Sequence, residues 1–343
     1  PLPILSFPPR RHQGANDPPP ANRNSREYRE WRRRHSDRYG DSGLDWEEEG
    51  DYRMAATAAA IIREFAKSGG RFFLSVAQSK PHTPLLAPKK FLDLYDPAKI
   101  PDPPAPPNAL TNFPYMKRAT GGNPDIFTER PPTPQQAREA IAAYYACLSM
   151  VDANIGMILE ALEQTGLATN TIVVFLGDHG FHLGDHGFWS KYSMLEATHR
   201  APLVIRVPGA PGNGRSCRQF VEFVDLMPTL CELVGATAPP NLEGISFVPL
   251  LADPDRPWKT AVFITEGDSE RGDGVRTAKY RYLEFEKGEM KAALFDLERD
   301  PWETVNVVED PTFAEVRSQM AQLLRAGWRA ALLRGLSAPA PNT

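Results

Sequence analysis

The chain has 343 residues, of which 41% are hydrophobic and 24% charged, and its net charge is −4 at pH 7. This balance is typical of a globular protein with enough apolar residues for a core, and it excludes a wholly disordered, collagen-like or coiled-coil chain. No apolar run reaches the roughly 18 residues of a membrane span, the slightly acidic charge gives no reason to expect a nucleic-acid partner, and three separated cysteines cannot form a disulfide framework.

Residues 1–50 are polar, contain many prolines and are dense in charge, so we predict a lead-in segment there. The arginines between Arg26 and Arg38 are interleaved with acidic residues, which favours a solvated segment over a basic arm for a polyanion. The chain starts at Pro1 and shows no signal peptide, so we expect a fragment or a processed piece, and the sequence leaves its compartment open.

Predicted helices and strands alternate between residues 51 and 255. The alternation is typical of an α/β fold with a mostly parallel sheet sandwiched by helices. The predicted elements are helix 52–67, buried strand 71–77, a proline-rich loop over 101–134, helix 133–167 capped by Thr133 and Gln136, strands 171–176 and 203–207, and helix 225–234.

The pattern changes after residue 255. Three apolar segments at 261–266, 275–285 and 293–297 are separated by connections of hairpin length, which predicts a small antiparallel sheet. A terminal helix is predicted over 311–333. We therefore expect three parts: a lead-in over 1–50, an α/β domain over 51–255, and a C-terminal antiparallel subdomain over 256–343.

Residues able to do chemistry follow two predicted strands. His82 follows strand 71–77, Asp178 and His179 follow strand 171–176, and Lys191 lies thirteen positions beyond Asp178. Carboxylate oxygen suits a hard cation and lysine suits an anionic substrate, so the set indicates metal-assisted hydrolysis of an anionic ester. Because parallel strands end at one sheet edge, we expect these four side chains within about 10 Å of a common point.

Each of these residues also has a purely structural interpretation. Asp178 can cap a turn, His82 can be a packed loop residue, and His182 and His186 can be surface residues on a glycine-rich loop. Taken one at a time, these motifs leave both interpretations open.

Four segments, taken in order, resemble the sulfatase family of the alkaline-phosphatase-like superfamily. The resemblance covers about residues 70 to 310 and is strongest to iduronate-2-sulfatase-type members. The segments are FFLSVAQSKPHTPLLAPKKFLDLYD, VVFLGDHGFHLGDHGFWSKYSMLEATHRAPLVIRVPG, VEFVDLMPTLCELVG and LFDLERDPWETVNV. The resemblance implies hydrolysis of a sulfate ester, with a sulfated small molecule or glycan as the substrate.

The resemblance also implies roles for single residues. Asp178 matches a ligand of one divalent cation, usually Ca²⁺, and His179 matches the position beside it in the same metal site. Lys191 matches the lysine that contacts the sulfate, and His82 matches the histidine that hydrogen-bonds the sulfate and assists the leaving oxygen. Lys80, two residues before His82, is a further candidate for the substrate anion.

The family's nucleophile is a formylglycine made from Cys or Ser in a Cys/Ser-x-Pro-x-Arg motif. Cys147, Cys217 and Cys231 do not start this motif, and Ser337 has Pro where Arg is needed. We therefore expect the formylglycine in an N-terminal segment missing from this chain, an inactive chain by itself, and an N-terminal fragment of the same enzyme as a partner. The alternatives are a phosphate mono- or diester hydrolase of the same superfamily and a non-catalytic remnant that binds sulfated glycans.

Overall fold

The computed structural model describes residues 18–35, 38–106, 127, 131–191, 193–266, 272–285, 292–333 and 336. These residues form two compact units. The first unit draws on 1–103, 123–171 and 183–190, and the second on 104–122, 172–182 and 191–343. The predicted domain boundaries at residues 50 and 255 stay predictions.

Helices dominate the first unit. They are α1 (Arg26–His35), α2 (Gly50–Ser68), α3 (Lys89–Leu92) and α4 (Pro134–Gln164). The predicted capping box of α4 is confirmed, because Thr133 Oγ1 accepts a hydrogen bond from the Gln136 amide at 3.2 Å and Gln136 Oε1 accepts one from the Thr133 amide at 2.8 Å. The predicted helix 52–67 is confirmed as α2, which ends at Gly69 with a φ of 70°.

Helix α4 is the core of the first unit and packs along α2. Its buried face is made largely of small residues, whereas the large side chain of Leu148 is 41% exposed. Small side chains let the two helix backbones approach closely. By length and composition alone α4 could cross a membrane, but this is weak evidence because core helices have the same composition.

Strands in the first unit are short. Strand β1 (Tyr39–Asp41) pairs in parallel with β2 (Leu85–Ala87). The predicted buried strand over 71–77 is wrong: this segment pairs with no described strand, its residues alternate between exposed and half-buried, and Phe73 is 62% exposed. A strand needs a hydrogen-bonded neighbour, and an apolar run alone does not supply one.

The second unit begins with a two-stranded ribbon. Strand β3 (Val173–Leu176) pairs antiparallel with β6 (Leu203–Arg206), so the predicted parallel arrangement is wrong for this pair. The chain between the two strands turns back to the same end of the ribbon, where the Gly177 amide donates to the Pro202 carbonyl at 3.1 Å. A connection that returns to the same end joins antiparallel strands, whereas parallel strands need a crossover.

Several short elements follow β3 along the chain. They are β4 (His182–Leu183), β5 (Trp189–Ser190), α5 (Glu196–His199), α6 (Leu226–Val234) and α7 (Val248–Ala252). Helix α6 confirms the helix predicted over 225–234.

A four-stranded antiparallel sheet closes the second unit, as the sequence predicted. Its strands are β7 (Ala261–Glu266), β8 (Gly272–Thr277), β9 (Tyr280–Phe285) and β10 (Ala292–Asp296), in the order β10-β9-β8-β7. The segment predicted as one strand over 275–285 is interrupted by the two-residue turn between β8 and β9. Helix α8 (Ala314–Ala326) packs on this sheet around Leu294, Met320 and Ala321.

Candidate functional site

The loop after β3 places two metal-ligand types side by side. The Asp178 side chain is 85% exposed, and its Oδ2 lies 3.4 Å from Nε2 of His179. His179 Nδ1 lies 2.8 Å from the Gly180 carbonyl, which only accepts, so Nδ1 carries a hydrogen and Nε2 is the ring nitrogen that faces the carboxylate. A carboxylate and an imidazole lone pair at this separation can both face one cation.

This loop is held close to the helix α5. The Gly180 amide donates to the Thr198 carbonyl at 2.8 Å. A Cβ at position 180 would lie 2.1 Å from the Ala197 carbonyl oxygen, so only glycine permits this approach. The glycine after Asp178-His179 therefore has a structural cause that the sequence pattern did not reveal.

Lys191 leads into a buried turn. No ion pair or hydrogen bond of its ammonium is found within the described part of the chain, and the side chain is half-buried. Two residues further, Ser193 Oγ lies 2.8 Å from His182 Nε2 and 2.9 Å from Thr198 Oγ1. These three polar side chains are 1–2% exposed, so they form a closed structural network that substrate cannot reach.

His182 and His186 are both buried, at 1% and 6% exposure. The interpretation of these histidines as surface residues is therefore wrong. Between them in the sequence lies Gly184. A Cβ added there would lie 2.8 Å from the side chain of Pro103, so the glycine-rich segment is packed and not open.

His82 lies in an exposed loop of the first unit. Its Nδ1 lies 2.8 Å from the Thr83 carbonyl, which leaves Nε2 facing solvent. The loop is fixed from below by the buried Asp51, which accepts hydrogen bonds from the Ser79 amide at 3.0 Å and the Lys80 amide at 2.8 Å. Sequence reasoning missed Asp51, because nothing local marks a carboxylate whose partners lie 28 and 29 positions away.

The Asp51 clamp continues into helix α4. Gln78 donates to the Asp51 carbonyl at 3.3 Å and accepts from Asn154 at 2.8 Å. Asn154 is fully buried and also accepts from the Trp46 indole at 2.9 Å. This chain of hydrogen bonds ties the His82 loop to the core of the first unit.

Lys80 is directed to its own loop. Its ammonium donates to the Pro84 carbonyl, and the bonds to Pro81 and Pro84 from their preceding residues are both cis. Lys80 closes the loop in this structure, so its role toward a substrate stays a prediction. The convergence of His82 with the Asp178 loop and Lys191 also stays a prediction, because His82 belongs to the first unit and the other residues to the second.

Asp178 and His179 fit a divalent cation by donor type, but two donors fall short of the six to eight ligands that Ca²⁺ takes. Within the described residues, no group of three or more His, Cys, Asp or Glu side chains has metal-binding geometry. Any cation at Asp178 therefore needs further ligands.

The sequence and the fold were compared with those of known proteins. The sulfatase family model matches residues 12–236, and the model described as N-sulphoglucosamine sulphohydrolase, C-terminal, matches residues 184–329. A sulfatase of Formosa agariphila is 31% identical over 292 residues, which are 83% of this chain and 57% of that protein. Iduronate 2-sulfatase of Mus musculus is 34% identical over 230 residues, which are 57% of this chain and 42% of that protein.

Among solved structures, the phosphonate monoester hydrolase of Agrobacterium radiobacter superposes with a TM-score of 0.75 at 26% identity, covering 84% of this chain and 62% of that one. This likeness supports the α/β fold. The chain spans about half the length of the curated relatives it matches.

One detail of the nucleophile prediction is wrong. Ser6 is followed by Pro8 and Arg10, so the letters of Ser-x-Pro-x-Arg do occur in the chain. Ser6 lies outside the described residues and before residue 12, where the family match begins. Because the first 38 residues are rich in proline and arginine, the pattern arises there readily by chance.

Proposed function

The chain belongs to the sulfatase family, and from this premise we propose that it supplies part of a site that hydrolyses a sulfate ester. The observation that carries the proposal is the pair formed by Asp178 and His179, whose Oδ2 and Nε2 atoms lie 3.4 Å apart. Members of the family generally bind a divalent metal. We assign Asp178 and His179 as ligands of that metal, most simply Ca²⁺, with Asp178 the stronger ligand because Ca²⁺ prefers oxygen.

A bound divalent cation supplies positive charge beside the sulfate. Lys191 supplies a second positive charge: its ammonium, which has no partner among the described residues, donates hydrogen bonds to the sulfate oxygens. Both charges stabilise the negative charge that builds up during transfer.

His82 serves as the proton donor to the leaving oxygen. Its Nδ1 hydrogen is used on the Thr83 carbonyl, so in the imidazolium form Nε2 carries the hydrogen that faces solvent. That hydrogen first bonds the sulfate ester and then passes to the departing alkoxide, which leaves as an alcohol. Lys80 is the weaker candidate for substrate binding, since it must first release the Pro84 carbonyl.

The attacking group is a formylglycine. We expect it outside residues 12–236, which match the family model, and we propose an N-terminal fragment of the same enzyme as its source. The apolar residues Phe175, Leu176 and Val204 of the β3–β6 ribbon are 40%, 40% and 60% exposed, which supports further polypeptide against it. With that polypeptide present, we propose that the α/β part of the fold has a mostly parallel sheet, and that the antiparallel subdomain starts near residue 256.

The name of the iduronate 2-sulfatase relative supports a sulfated sugar as substrate. A second candidate function is hydrolysis of a phosphate mono- or diester, which the likeness to a phosphonate monoester hydrolase favours. A non-catalytic role in binding sulfated glycans is the third. Assays with sulfate and phosphate esters of one aryl alcohol distinguish the first two.

We predict that the purified 343-residue chain does not hydrolyse a chromogenic aryl sulfate in the presence of Ca²⁺, because its Ser-x-Pro-x-Arg letters, at Ser6, precede the family match and are not expected to carry a formylglycine. Fused behind the N-terminal segment of the Formosa agariphila relative, it gains turnover, and Lys191→Ala lowers kcat by about 10²-fold or more. The matched control is Lys89→Ala, which removes an exposed lysine that is paired with Asp93.

Peptide mass analysis checks Ser6, which we expect to find unmodified.

Turnover by the chain alone, lost in Lys191→Ala, contradicts the predicted inactivity. A fused enzyme that folds and keeps full kcat with Lys191→Ala contradicts the role of Lys191. Binding of sulfated glycans without turnover by the fused protein favours the non-catalytic role.

A further inference from the structure

Arg281 of β9 is a charged residue buried inside the second unit. Its side chain is 1% exposed, and its guanidinium contacts two acidic side chains and one carbonyl. Nη2 pairs with Glu196, Nη1 donates to the Met194 carbonyl at 3.2 Å, and Nε lies 2.5 Å from Glu303 Oε1. The Nε–Glu303 contact is an ion pair between two buried side chains.

The contacts to Met194 and Glu196 both go to one short turn, residues 193–198, which begins two residues after Lys191. Glu303 contacts the same turn, since its Oε2 accepts a hydrogen bond from the Glu196 amide at 2.8 Å. Arg276 of β8 adds a further contact, with Nε 3.2 Å from Glu196 Oε2. Two arginines of the C-terminal sheet, together with Glu303, therefore converge on this turn.

The sheet is also shaped to receive the turn. Met194 is fully buried, and a Cβ added to Gly272 would lie 2.5 Å from its sulfur. A Cβ added to Gly274 would lie 3.6 Å from the Met194 methyl group. Glu303 adopts a φ of 56°, which is unfavourable for a residue other than glycine and is maintained only when surrounding contacts require it.

The other side of the turn contacts the Asp178 loop. His182 bonds Ser193, and the Thr198 carbonyl accepts from the Gly180 amide. Residues 193–198 thus lie between the loop of Asp178 and His179 on one side and the sheet of Arg281 on the other. The Ser193 amide also donates to the Lys191 carbonyl at 3.2 Å, so this turn contacts both Lys191 and the loop of Asp178.

We propose that Arg281 and Glu303 are positioning residues that fix the turn 193–198 and, through it, the placement of Lys191 against the loop of Asp178 and His179. This inference rests on the proposed function, since it takes Lys191 and Asp178 as parts of one site. The side chains of Arg281 and Glu303 are 1% and 2% exposed, so neither is open to a substrate.

Charge balance agrees with this arrangement. Burial alone would raise the pKa of Glu196, but the guanidinium groups of Arg281 and Arg276 outweigh burial and lower that pKa. Burial raises the pKa of Glu303 in spite of Arg281, because Glu303 is almost fully enclosed whereas Glu196 keeps 23% of its side chain exposed. Arg281 therefore holds Glu196 as a carboxylate at neutral pH and keeps the turn ionically paired to the sheet.

The experiment compares the 343-residue chain with its Arg281→Met variant by amide hydrogen exchange. The matched control is Lys259→Met, which breaks another buried ion cluster of the same unit, that of Lys259 with Glu222 and Asp225. Each chain is measured at the temperature at which its free energy of unfolding equals that of the others. We expect Arg281→Met to raise the rate of amide exchange in peptides covering 193–200 by about tenfold or more, and Lys259→Met to leave that rate unchanged. Glu196→Gln serves as a second variant if Arg281→Met does not fold, since this side chain is partly exposed.

A second measurement follows acetylation of Lys191 with and without inorganic sulfate. We expect sulfate to slow acetylation in the parent chain and in Lys259→Met, and this protection to fall in Arg281→Met. Faster exchange in 193–200 together with no sulfate protection in any chain supports the positioning role and counts against the proposed function. Equal exchange in Arg281→Met, Glu196→Gln and the control overturns the positioning role.

Discussion

Cys147 and Tyr144 lie in helix α4 and have strongly shifted acidities. Burial raises the pKa of the Cys147 thiol to about 12, and burial together with the nearby Cys147 raises the pKa of Tyr144 to about 12. The usual pKa values are 9.0 for the thiol and 10.0 for the phenol. Between these values and pH 12 the folded chain keeps protons that the unfolded chain has lost.

We predict that the free energy of unfolding is independent of these groups below pH 9 and falls above it, since both folded pKa values are raised. Each group contributes up to about 1.4 kcal/mol per pH unit within its window. Urea unfolding between pH 8 and pH 10.5 measures the slope. Cys147→Ala is expected to flatten the slope above pH 9, whereas Cys217→Ala, at an exposed cysteine, leaves it unchanged.

Single residues differ in how far the sequence predicts them. Asp178 and His179 are neighbours in the chain, so their proximity in the structure was predictable, and the resemblance to sulfatases marked them. Asp51 and Arg281 act on partners far along the chain: Arg281 lies 85 positions from Glu196. No local pattern distinguishes such a residue from an exposed charge, so only the fold reveals it.

At the scale of elements, the close approach of the Asp178 loop to α5 depends on Gly180. We predict that Gly180→Ala destabilises the chain by roughly 1–3 kcal/mol, because the new Cβ would lie 2.1 Å from the Ala197 carbonyl and must push the loop away. Urea unfolding gives the loss, and hydrogen exchange in peptides 177–182 locates it.

The matched control is Gly156→Ala. Gly156 lies inside α4, and its Cβ position is open, so alanine is expected to stabilise the chain by up to about 1 kcal/mol through helix propensity. A Gly180→Ala chain as stable as the parent, with unchanged exchange at 177–182, contradicts the close packing of the loop on α5.

Elements governed by local chemistry were predicted well. The Thr133–Gln136 capping box and the helix after it follow from residues three apart, and the hairpins of the C-terminal sheet follow from short connections. Strand pairing was predicted less well. The direction of β6 against β3 and the unpaired state of residues 71–77 depend on distant segments, which hydrophobic runs cannot encode.

At the scale of the whole molecule, an apolar surface on the β3–β6 ribbon is open to solvent. Phe175 and Val204 are register partners in the ribbon, so their side chains share one face, and both are well exposed. Leu176 is exposed on the opposite face, and within the described residues each strand of the ribbon has one unpaired edge. Exposed apolar strands with free edges favour association with other polypeptide.

We therefore predict that the purified chain binds a hydrophobic dye in its native state and self-associates at micromolar concentration. Val204→Lys is expected to lower both dye fluorescence and the sedimentation coefficient, because a charge at the centre of the apolar face opposes its burial. Val305→Lys is the control, since Val305 is exposed to a similar extent, 57% against 60%, but lies outside the ribbon. A monodisperse parent chain without dye binding, or equal effects of the two substitutions, means that the ribbon is not the surface at which further polypeptide docks.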